Sequence, residues 1–245
     1  MNLPAEALKD MQRHGAAVAR YIVAIMLTLI SYRLLAFAAQ HGLSEDAHPQ
    51  LFAAARLMAA LYLAVAASAA QAVFLAQLGA AIDVPLWKYK GTQDALQRFF
   101  VIWFIINLFL ITLIDIQTRL LGADIEDAAA FMELLIMAAH VAAMPVGACI
   151  MHWGALDWSE LGEALRPLGR LLSLAVFPFA IGFIQYALAS ARMAGATDNM
   201  LANLLFLSVT DVPLMMLDVF IFVLVWRLCM HHRTLPPVED NPLDF

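Results

Sequence analysis

The sequence predicts an all-α, polytopic transmembrane helix bundle with six spans and short amphipathic helices in the cytoplasmic interface. Three observations predict it. Of 245 residues, 63% are hydrophobic and only 14% charged, whereas a soluble domain is about 45–50% apolar and roughly 25% charged. Apolar runs long enough to cross a bilayer recur six times along the chain. Lysine and arginine, finally, are concentrated in alternate connections between those runs, as cytoplasmic retention of positive charge requires.

A hydrocarbon core about 30 Å thick takes about 20 helical residues, because backbone polar groups in lipid must be satisfied within the helix. The runs cover approximately 16–39, 51–79, 99–121, 128–151, 168–191 and 204–228, and together make one integral membrane domain over 1–245. The first is longer than the 7–15 apolar residues of a signal sequence and is read as a retained span. The second exceeds what a bilayer needs, so its helix either tilts or starts inside the run near Leu57.

Lys9, Arg13, Arg20, Lys88, Lys90, Arg98, Arg166, Arg170, Arg227 and Arg233 fall on one side or in its flanks. Arg33, Arg56, Arg119 and Arg192 are left for the other. The richer side is assigned to the cytoplasm, which puts both termini there and makes the chain a multi-pass protein of a cell's inner membrane. Trp87, Trp103, Trp153, Trp158 and Trp226 all map to that same side, where an aromatic belt would place them.

Each inward-to-outward run is preceded by an acid-Ala-Leu triplet: Glu6-Ala7-Leu8, Asp94-Ala95-Leu96 and Glu163-Ala164-Leu165. Leu161, Leu165 and Leu168 recur at helical spacing around Glu163 and Arg166, the pattern of a helix lying in the interface. Three hairpins, each with a leader helix, would account for the recurrence; so would the need of any such protein for basic amphipathic flanks.

The apolar runs carry charge into the bilayer, where each ionised group costs several kcal/mol unless paired or hydrated. Counting about 1.5 Å per residue from the outer helix ends, Arg33, Arg56, Asp115, Glu133 and Asp211 share one depth on five helices. Arg119 stands one turn from Asp115, and Gln185 and Tyr186 bring the remaining helix to the same layer. His140 and Asp218 lie deeper, each seven residues beyond an acid on its own helix face. Pro145 and Pro213 interrupt those two helices, and a kinked helix beside a buried carboxylate is common in transport sites. The same eight charges, Arg33, Arg56, Asp115, Arg119, Glu133, His140, Asp211 and Asp218, also suit a salt-bridge network that fixes the bundle, with Asp211 satisfied by Thr210 and Arg33.

Cys149-x-x-His152 and Cys229-x-x-His232 end the fourth and sixth runs at the cytoplasmic side. Two thiolates and two imidazoles would make a tetrahedral zinc set if they converged. Small buried thiols and interfacial histidines account for them equally simply, so no cofactor or metal is assigned.

A net charge of -6 without a basic stripe excludes nucleic acid as a partner. Lysine occurs only at positions 9, 88 and 90, outside the spans, which excludes a retinal Schiff base. No G-x-S-x-G, H-E-x-x-H or phosphate-loop motif marks an enzyme. These patterns point to a permease or channel-like membrane subunit with its polar layer in the outer half. The bilayer is its solvent, and other membrane subunits or a cytoplasmic ATPase are its partners, docking at 87–98 and 152–170. The alternative is a non-catalytic scaffold or assembly subunit of a larger membrane complex.

Overall fold

The computed structural model describes residues 2–42, 48–83, 89–122, 126–154, 161–173, 182, 184 and 200–233. Every regular element among them is helical: α1 (Leu3–Arg13), α2 (Gly15–Gly42), α3 (Pro49–Ile82), α4 (Thr92–Gly122), α5 (Glu126–Trp153), α6 (Leu161–Ser173) and α7 (Met200–Arg233). Five of these, α2, α3, α4, α5 and α7, are long and apolar enough to cross a membrane. They match five of the six expected runs. The remaining run, 168–191, lies mostly outside the described residues; a Cβ on Gly182 would stand 3.1 Å from Val141 Cγ2, which brings that point of the chain beside α5.

The five long helices close a ring, each packed on the next in the order α2, α3, α4, α5, α7 and back to α2. One end of the ring, here termed proximal, carries α1 and α6; α1 packs on α7 and α2, and α6 on α5 and α7. The proximal half holds the dense apolar core, built from Tyr21, Leu75, Leu78, Phe99, Trp103, Met151, Phe222 and Trp226 among others. Trp103 and Trp226 are fully buried there, which corrects their expected place in an interfacial belt. Glycines make room for both rings. A Cβ at Gly79 would stand 2.6 Å from Trp226 Cη2, and one at Gly147 would overlap Trp103.

The second run is one continuous 34-residue helix from Pro49, not one that begins near Leu57. Pro49 at its first turn suits a helix start, where the missing N–H would be unbonded anyway. Ala64, Ser68, Ala72 and Ala76 recur every four residues and are fully buried, letting neighbouring backbones approach as small residues do in lipid. At Gln71–Leu75 the helix widens into one π turn, which packs against both α2 and α4.

Of the three acid-Ala-Leu triplets, the first lies in α1, a helix separate from α2, the third lies in α6, and Asp94-Ala95-Leu96 forms the first turn of α4 itself. The middle alanine is buried in all three. Asp94 accepts from Arg98 Nε at 2.9 Å, an i,i+4 pair at the start of that helix. Pro145 and Pro213 sit inside helices that continue through them, so each frees a carbonyl, that of Val141 and of Val209, without breaking the element.

Candidate functional site

The expected polar layer resolves into an interior pair and a superficial triad. In the interior, Arg33 Nη2 of α2 lies 2.6 Å from Asp211 Oδ2 of α7, with side chains 16% and 6% exposed. A buried guanidinium and a buried carboxylate at that distance offset each other's desolvation, which neither could do alone. Thr210 takes no part. Its hydroxyl donates to the carbonyls of Phe206 and Leu207, one turn back in its own helix, at 3.1 and 3.0 Å.

Elsewhere in the layer, Arg119 Nε donates to Asp115 Oδ2 at 2.7 Å, and Arg56 Nη2 of α3 stands 4.0 Å from Asp115 Oδ1. These three side chains are 52% (Arg56), 43% (Asp115) and 79% (Arg119) exposed, on the outer surface of the α3–α4 pair. Glu133 belongs to α5, but its side chain lies outside what the structure describes, as do Gln185 and Tyr186. One layer fed by all the helices is therefore not what the described residues form.

Further along the helices, His140 Nε2 of α5 comes to 3.9 Å from Asp218 Oδ1 of α7; Asp218 is 17% exposed and faces the ring, whereas His140 is 46% exposed at its margin. Beside them runs a network of neutral side chains that charge counting does not reveal. Tyr21 of α2, 1% exposed, shares a hydrogen bond with Gln71 and lies within electrostatic reach of the Asp218 carboxylate. Asn107 Nδ2 of α4 donates to Gln71 Oε1 at 2.6 Å and to Ser68 Oγ at 2.9 Å. Ser68 in turn donates to the carbonyl of Ala64.

Gln71 is the hub of this network and the first residue of the π turn. An i→i+5 turn leaves backbone groups less tightly bonded and re-aims side chains, which is why such turns gather at functional sites. Asn107 is the central residue of the 31-residue α4, so the network stands near mid-bundle. Four of the five ring helices thus meet there: α2 through Tyr21, α3 through Ser68 and Gln71, α4 through Asn107, and α7 through Asp218. His140 adds the fifth.

At the proximal end the two Cys-x-x-His units meet only in part. Cys149 Sγ and Cys229 Sγ are 3.6 Å apart and fully buried as free thiols. His152 is packed edge-on against Trp226, ring centroids 4.9 Å apart. Among the described residues, no three histidine, cysteine or carboxylate side chains converge as a metal site would require, so the zinc set does not assemble. At the same end, Arg227 grips Asp10 of α1 through both carboxylate oxygens, Nη2 to Oδ1 at 2.7 Å.

These features define a helical bundle with five helices able to cross a membrane and a polar centre to which four of them contribute, with His140 of the fifth beside Asp218. Comparison with known protein families, characterised proteins and solved structures finds no match to this chain.

Proposed function

We propose that the protein is a permease or channel-like membrane subunit whose pathway runs along the inside of the helix ring. One observation carries the reading: polar side chains of α2, α3 and α4 meet at the π turn of α3, and Asp218 of α7, paired with His140 of α5, lies within electrostatic reach of Tyr21 in that network. Buried polar groups in lipid are expensive and mark substrate or ion pathways. Here they form two steps along α7, Arg33–Asp211 and then Asp218 with His140, Tyr21 and Gln71. The proximal end, with α1, α6 and Arg227, faces the cytoplasm of a cell's inner membrane in this reading, and a sixth crossing completes the topology between α6 and α7.

The test is reconstitution of the full chain in liposomes, with proton and cation flux followed by entrapped dyes. Asp218→Asn is expected to abolish flux, or its dependence on pH, while the variant inserts and elutes as wild type does. Flux unaltered in Asp218→Asn and in Gln71→Leu would sink the proposal. A scaffold reading is favoured by one observation, the internal pairing of Arg33 with Asp211. It predicts stoichiometric membrane subunits on purification and a Asp115–Arg119 exchange that alters stability but no flux.

A further inference from the structure

The triad of Arg56, Asp115 and Arg119 belongs to the surface of the ring, not to its interior, and its charges do not cancel. Arg56 and Arg119 approach different oxygens of the one Asp115 carboxylate. Among the described side chains here, two positive charges against one negative leave a net of +1. Around them the surface is apolar: Leu51, Leu57 and Met58 of α3 and Ile114 and Ile116 of α4 are all exposed. Arg56 lies seven residues into α3 and Asp115 seven residues from the end of α4, about 10 Å along each helix. That depth is where lipid headgroups give way to acyl chains, so flexible arginine side chains reach the phosphate level from it.

From this arrangement we infer that the triad binds one anionic phospholipid, its phosphodiester taken by the N–H groups of Arg56 and Arg119 that do not face Asp115. The phosphate brings the charge of the cluster from +1 to zero. Its acyl chains cover the flanking leucine, methionine and isoleucine side chains. Guanidinium groups bind phosphate oxygens in pairs with a geometry that suits this role, and a soluble anion would have no means of covering the apolar rim. Asp115 is the positioning residue, since it holds both arginines on one side of the α3–α4 seam.

The experiment uses the full chain purified in a neutral detergent and exchanged against phosphatidylglycerol or phosphatidylcholine in mixed micelles. Native mass spectrometry then counts the retained lipid. Wild type is expected to retain one phosphatidylglycerol in preference to phosphatidylcholine. Each arginine removed should weaken retention roughly five-fold, and both removed about 30-fold. Arg119→Gln is the first variant because its side chain is the most exposed of the three, so its loss is expected to leave folding intact, which elution as wild type checks; Arg56→Lys with Arg119→Lys keeps the charge and should restore most of the binding. Equal retention of phosphatidylglycerol by wild type and by Arg56→Gln with Arg119→Gln would overturn the inference. So would equal retention of the two lipids by wild type, or a second protein subunit found bound at the triad. None of these readouts depends on transport.

Discussion

At the scale of single residues, structure and function divide over what each buried group would lose. Replacing Arg33 with Gln strips Asp211 of its cation inside the bundle, a change that costs about 3–5 kcal/mol where a buried pair is broken on one side. Replacing both with leucine removes the need along with the partner and should recover most of that loss; thermal unfolding in detergent checks the pair of variants. Gly147→Ala drives a methyl into the Trp103 ring and Gly79→Ala one into Trp226, each expected to destabilise by roughly 1–3 kcal/mol on the same measurement. The charged partners were legible in the sequence because a few arginines and carboxylates at one depth in lipid have few ways to be satisfied. Tyr21, Ser68, Gln71 and Asn107 were not, although a Gln and an Asn deep in apolar runs are signals in their own right. A neutral amide carries no sign that would name its partner. Tryptophan misled for a related reason: its preference for interfaces is statistical, and the glycine that admits a buried ring lies on another helix, more than 40 residues away for Trp103 and Gly147.

Among the elements, α3 departs furthest from what periodicity predicts. Five apolar runs became helices close to their expected limits, since length and hydropathy decide that much without tertiary contacts. A π turn has no such signature; it is set by what the widened backbone packs against, here α2 and α4. Gln71→Leu is expected to cost about 1–3 kcal/mol, because it leaves the Asn107 amide buried with one bond fewer. Gln71→Leu combined with Asn107→Leu should cost less than the sum of the two single changes. A double-mutant cycle by thermal unfolding measures that coupling, and strict additivity would show that the hydrogen bond contributes nothing. The continuity of α4 through Asp94-Ala95-Leu96 has a simpler cause. Its Asp94–Arg98 pair, one turn apart at the helix start, favours carrying the helix on, where α1 instead stops at His14.

At the scale of the whole molecule, the described helices form a ring whose dense apolar core lies in the proximal half, with the buried Arg33–Asp211 pair beyond it. That division was visible in the sequence as an uneven distribution of ionisable residues, but the closing of the ring was not, because no local pattern says that α7 returns to α2. The Asp10–Arg227 clamp joins residues 217 positions apart. Its consequence lies in time. A ribosome makes Asp10 long before Arg227, so α1 waits without its cation while α2, α3, α4 and α5 are being made. Docking of α1 therefore reports that α7 is in place, and a nascent protein halted before Arg227 keeps that first helix open to the quality-control proteases that survey incomplete products. Chains ending at Trp226 should lose α1 to added protease many times faster than full-length protein, and Arg227→Gln should mimic the truncation.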